Sequence, residues 1–171
     1  IKQDQAQSSV EKETSNLLKK LIIAVAFLVP LMIISMGHMI GMSLPNFLDP
    51  DENALNFAIA QLALTMPIMI AGNHFYRYGF YRLWKRSPNM DSLVALGTSA
   101  AFIYGVFGLI QIALGHTHYA MHLYFETAAG ILSFILLGKY LESVSKGRTS
   151  LAIKKLLNLT PKTAVRIVNS Q

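Results

Sequence analysis

In KRSPNMDSLVALGTSAAF, residues 85–102, two cations and a Ser-Pro break lead to Met90 and Asp91, and a long apolar run follows. A thioether is a soft ligand suited to ions such as Cu(I), and a neighbouring carboxylate adds charge attraction. Glu142 lies near the end of a later apolar run that travels the opposite way, which brings it to the depth of Met90. Together these side chains have the chemistry of a loose, transient metal site at an entrance. They also have plainer roles: Met90 can pack, Asn89 or Asp91 can cap a helix, and Glu142 can snorkel to water.

Glu126 falls at the other end of the same run as Glu142. Sixteen positions on a continuous helix separate the two by about 24 Å. Acidic residues within a span are rare and often mark ion pathways, so one near each face reads as an inlet and an outlet. The competing reading is a pair of interfacial carboxylates in water. Two further groups carry possible ligands. Met32, Met36, Met39 and Met42 cluster with His38, and His116, His118 and His122 cluster in a later connection. Methionine at helical spacing more often packs than ligates. No nucleophile with an orienting base is present, and no GxxxxGK[ST] phosphate loop occurs.

The elements that must position these groups are apolar. The chain has 171 residues, 53% hydrophobic and 14% charged, with a mean hydropathy of +0.41. Cysteine is absent, which excludes disulfides, zinc-cysteine clusters and thiol catalysis from this chain. Apolar runs near the length that crosses a bilayer recur at about 17–43, 53–73, 91–114 and 122–145. Pro30 and Pro67 lie inside the first two, where membrane helices tolerate them. Gly97, Ala101 and Gly105 recur every fourth residue and read as a packing stripe against another span.

The second span is expected to break at Ala71-Gly72. The segment at about 74–87 is too polar to cross and reads as an amphipathic helix in the interface. On a helical wheel Tyr76, Phe80, Leu83 and Trp84 gather within about 100°, opposite Arg77, Arg82, Lys85 and Arg86. Its basic side is either a set of snorkelling cations or a docking platform for an acidic partner.

Lys19, Lys20, Arg77, Arg82, Lys85, Arg86, Lys146, Arg148, Lys154 and Lys155 all flank one side of the four spans. The opposite connections, at about 44–52 and 115–121, contain no Lys or Arg. The positive-inside rule then makes both termini cytoplasmic. Residues 1–16 are polar, carry no apolar stripe, and read as a cytoplasmic tether rather than a secretory signal. From about 143 to 160 a helix is expected to continue into the cytosol, with Ala152, Ile153, Leu156 and Leu157 as apolar positions and Pro161 as its stop. TAVRIV then has strand character, as at the start of a soluble domain.

NMDSLVALGTSAAF, YFETAAGILSFILLGKYLE and KGRTSLAIKKLLNLTPKTAVRI closely resemble copper-exporting P-type ATPases of the heavy-metal class. The likeness is strong over 85–168, and the first two spans match in layout more than in letters. It implies an all-α membrane region: four transmembrane helices with an interfacial amphipathic helix, followed over 146–171 by a cytoplasmic linker helix and the start of a soluble actuator domain. The resemblance also implies that Met90 and Glu142 form a cytoplasmic Cu(I) entry site and that Glu126 serves release. The family's double glycine is matched here by Ala71-Gly72, a softer break. The basic residues Arg77, Arg82, Lys85 and Arg86 would receive a copper chaperone or an N-terminal metal-binding domain.

ATP and Mg, the Cys-Pro-Cys ligands and the phosphorylation loop are expected in the remaining transmembrane and cytosolic domains of a parent pump. The 143–160 helix would be the lever those domains pull. The expected setting is a bacterial plasma membrane, with the lipid bilayer as a partner and no nucleic acid. The alternatives are a pump of the same build for another soft metal such as Ag(I), or a non-catalytic four-span binding or docking protein.

Overall fold

The computed structural model describes residues 2–37, 41 and 45–157, with side chains described from Glu11 to Gly147 within those limits. Five α-helices follow one another: α1 (Lys2–Gly37), α2 (Ala54–Ala71), α3 (Asn73–Trp84), α4 (Met90–Ala113) and α5 (Phe125–Leu157). Short 3-10 turns at Asn46–Leu48 and Thr117–His122 join α1 to α2 and α4 to α5. Among the described residues there is no strand; TAVRIV, Pro161 and the residues His38, Met39 and Met42 lie outside them.

Four of the helices are long and apolar enough to cross a membrane: the α1 portion Glu11–Gly37, α2, α4, and the segment Thr117–Gly147 that contains most of α5. In α1 the helix reaches back to Lys2, so the polar stretch read as a tether is helical from that residue. Pro30 and Pro67 stay inside α1 and α2 without ending them. The basic end of the bundle holds the C-terminus of α2, all of α3, the start of α4 and the far half of α5.

α5 shows how this chain packs. Phe125, Ala128, Ala129, Leu132, Ser133 and Leu136 are buried at helical spacing, while Ile131, Phe134, Leu137 and Leu141 face outward. Lipid is as apolar as leucine, so helices associate here through close contact and not through escape from water. Two apolar clusters result. At the basic end Leu21, Ala24 and Leu31 of α1 meet Ile68, Phe75, Val94, Ala129, Leu132 and Leu136. At the other end Phe57 and Ala58 of α2 meet Ile112, Ala120, Leu123 and Phe125.

Three buried hydroxyls are satisfied within their own helices, as suits a medium without water. Thr65 donates to the Gln61 carbonyl at 2.8 Å, Thr98 to Val94 at 2.7 Å, and Ser133 to Ala129 at 2.8 Å.

The expected Gly97–Ala101–Gly105 stripe is split by the structure. A Cβ at Gly105 would come within 2.4 Å of the Leu123 carbonyl and 2.7 Å of the Phe125 ring, so only glycine fits there. Gly97 has no such neighbour and is exposed. The close contact on α4 continues instead to Gly108, one turn further, where a Cβ would meet Leu123 at 3.1 Å. Spacing alone identified small residues but not which of them had a helix opposite.

Candidate ion-entry site at the basic end

The break after α2 builds one wall of the site. Gly72 sits between α2 and α3 with φ −83° and ψ 5°, while its amide still donates to the Ile68 carbonyl at 2.9 Å. Leu132 of α5 presses to within 3.0 Å of where a Gly72 Cβ would stand, so a side chain here would have to displace the Leu132 methyl groups by a few tenths of an ångström. Ala71 is buried at the bend.

α3 then folds across the start of α4. Its packed face is Phe75 and Gly79, both buried, with Tyr76 and Leu83 half-buried. The apolar face of the helical wheel divides between this contact and the outside. Phe80 is exposed, and Trp84 is 90% exposed; they flank the contact instead of forming it. Outward aromatic rings beside cations suit the level of lipid headgroups. Arg77, Arg82, Lys85 and Arg86 are all exposed, and Lys85 lies 4.7 Å from the Tyr81 ring centroid. Arg86 takes a left-handed φ of 53°, and the chain leaves the helix through Ser87-Pro88.

Asn89 caps α4. Its side chain accepts from the Ser92 amide at 3.1 Å, and the Ser92 hydroxyl accepts from the Asn89 amide at 3.3 Å, a reciprocal capping box. Ser92 also donates to the Gly79 carbonyl at 2.9 Å. Met90 is thus the first residue of a firmly capped helix, with its side chain 54% exposed. Asp91 lies in the first turn, where the helix dipole favours an acid.

Two clefts open beside these residues. The larger, about 530 Å³, lies between α1, the α2–α3 bend, α4 and α5 and is reached by Asp91, His74, Lys20 and Lys139. The smaller, about 190 Å³, is lined by Glu13 and Leu17 of α1 and by Lys139, Glu142, Ser143 and Lys146 of α5. Lys139 belongs to both, so it joins the Asp91 side to the Glu142 side. Met90 is among the lining residues of neither; it is exposed at the start of α4, next in sequence to Asp91.

Glu142 is half-exposed and ion-paired, with Lys146 Nζ 2.6 Å from one oxygen and Lys139 Nζ 3.4 Å from the other. Lys146 was named only as one of the cations flanking the spans and Lys139 not at all, although their spacings of three and four from Glu142 are the ones at which helix side chains meet. Gly79 and Ser92 were also missed; a lone glycine inside an amphipathic helix was the available signal. Glu126 is in the first turn of α5, half-buried, at the end away from Glu142.

Among the described residues no three His, Cys, Asp or Glu side chains converge as a metal cage. The His116 and His118 rings are 6.2 Å apart at the far end, and both side chains are exposed. Met32 packs near Gly130, and Met36 is exposed.

No family model matches the chain, and no solved structure matches it. Curated relatives do. It is 41% identical over 155 residues, 89% of its length, to a copper-transporting ATPase of Helicobacter pylori. It is 40% identical over 161 residues, 93% of its length, to a copper-exporting P-type ATPase of Staphylococcus epidermidis. The likeness reaches plants, with 37% identity over 151 residues to the copper-transporting ATPase HMA5 of Oryza sativa subsp. japonica. These matches cover 21%, 19% and 15% of the respective relatives. The chain is therefore homologous, across nearly all of its own length, to a segment of about one-fifth of the copper-transporting P-type ATPases.

Proposed function

We propose that these helices are the membrane part of an ATP-driven Cu(I) export pump, forming the cytoplasmic entry for the ion and part of its exit path. The observation that carries this reading is the homology across the four spans, combined with Met90, Asp91 and Glu142 lying at one end of the bundle.

In this reading the basic end faces the cytosol. Arg77, Arg82, Lys85 and Arg86 on the outer side of α3 attract an acidic donor, either a copper chaperone or an N-terminal metal-binding domain. The donor's ion passes to the exposed Met90 thioether. A single soft ligand at a helix start holds Cu(I) weakly, which suits an entrance, since a tight cage would trap it. Asp91 and Glu142 supply negative charge beside the route. Glu126, at the far end of α5, aids release to the other side. The cargo is the substrate of the pump and not a resident cofactor.

ATP and Mg act in the parent protein. The sequence carries no GxxxxGK[ST] phosphate loop, and no residue of this chain is assigned to nucleotide binding. The remaining transmembrane and cytosolic domains are its partners in the plasma membrane, and α5, continuous to Leu157, is the element through which their movement reaches the entry site.

The ATPase activity of the full-length protein in membranes, measured with Cu(I), Ag(I) and Zn(II), tests the assignment. Stimulation by Cu(I) and Ag(I) but not by Zn(II) is expected from thioether chemistry. Equal stimulation by Zn(II) overturns it.

A further inference from the structure

Glu142 is not a free carboxylate. Each of its oxygens faces an ammonium, Lys146 at 2.6 Å and Lys139 at 3.4 Å. α1 closes the other side of this cluster: Glu13 and Leu17 line the same cleft, and the Thr14 and Ser143 hydroxyls are hydrogen-bonded across the two helices. Lys139 also lines the adjoining cleft with Asp91 and Glu13. An incoming cation must therefore compete with two lysines for the carboxylate, and each lysine lines a cleft that also holds Glu13.

We propose that Lys139 and Lys146 are positioning residues that set the apparent affinity of the entrance by holding Glu142 until cargo replaces an ammonium. This rests on Glu142 being an entry ligand. The exchange makes and breaks only ionic contacts. One monovalent cation takes the place of another at the carboxylate, so its charge stays balanced through loading. Lys146 is 72% exposed, Glu142 about half and Lys139 little more than a third. Exposed pairs at these spacings are weak. The swap is thus easily reversed, and the lysines raise the concentration that any cation needs to occupy Glu142.

The test is the Cu(I) concentration for half-maximal ATPase activity of the full-length pump in membrane vesicles. Lys139→Gln and Lys146→Gln are each expected to lower it about twofold, and the double variant about fourfold, at unchanged maximal rate. The double variant Lys139→Arg with Lys146→Arg is expected to behave as wild type. At about 1 M salt, where screening acts over about 3 Å, the glutamine variants and wild type are expected to converge. A half-maximal concentration that stays the same or rises in both glutamine variants overturns the proposal, and so does a loss confined to the maximal rate. Glu142→Gln separates the two levels. If it leaves the half-maximal concentration unchanged, the entry reading itself fails. If it raises that concentration while the lysine variants do not lower it, only the role of the lysines fails.

Discussion

The Ser92 hydroxyl donates to the Gly79 carbonyl across 2.9 Å, and this contact fixes the amphipathic helix α3 onto the start of α4. Behind it, a Cβ at Gly79 would sit 2.4 Å from the Asp91 carbonyl oxygen and 2.8 Å from the Ala95 Cβ. The platform that carries the basic side chains is therefore packed directly against the helix that begins with Met90.

Gly79→Leu must push α3 off α4, because the obstruction is backbone. The expected cost is about 1–3 kcal/mol, the range for overpacking. Ser92→Ala removes the link and half of the capping box, and is expected to cost about 1–2 kcal/mol. Thermal unfolding in detergent, followed by the fluorescence of Trp84, measures both. A Gly79→Leu protein as stable as wild type would show that α3 does not pack here.

The two glycines of α4 should answer differently to the same change. Gly105→Val drives its Cβ into the Leu123 carbonyl and the Phe125 ring, at 2.4 and 2.7 Å. A loss of about 1–3 kcal/mol is expected. Gly97→Val meets nothing in these four spans and should leave the stability of this chain within about 0.5 kcal/mol of wild type. The comparison is made by melting both variants side by side. Equal losses would place another element of this chain over Gly97.

The basic side of α3 should govern how fast a donor arrives more than how tightly it stays. Replacing Arg77, Arg82, Lys85 and Arg86 by Gln is expected to lower the association rate with an acidic copper donor about tenfold at low salt, and to flatten its salt dependence. Stopped-flow or surface-binding kinetics report this directly. Association that is equally fast and equally salt-sensitive in the variant would remove these residues from docking.

Four spans were legible because membrane helices advertise themselves by length and apolarity, and α4 in particular starts at the Asn89-Met90 boundary that the Ser-Pro break marked. Contacts were legible only in part. The period of small residues in α4 identified Gly105 correctly and Gly97 not, because a repeat says nothing about what lies opposite. The wheel of α3 gathered its large apolar residues into one interfacial face, Trp84 among them, but did not show that the contact with α4 centres on Phe75 and Gly79. Glycine carries no hydrophobic signal, so a face built around one is invisible to a hydrophobicity count. Lys139 and Lys146 were readable from their spacing to Glu142, but their meeting with α1 through Ser143 depends on a helix more than a hundred residues away in sequence.

The central claim is that cargo enters between Met90 and Glu142. Uptake of radioactive Cu(I) into inside-out vesicles carrying the full-length protein tests it most directly, with wild type compared against Met90→Ala and Glu142→Gln at matched protein levels. The account predicts that each substitution lowers uptake at limiting Cu(I) by about tenfold, the effect of about 1.4 kcal/mol, with much of the loss recovered at saturating Cu(I). Wild-type uptake at limiting Cu(I) in both variants would contradict it.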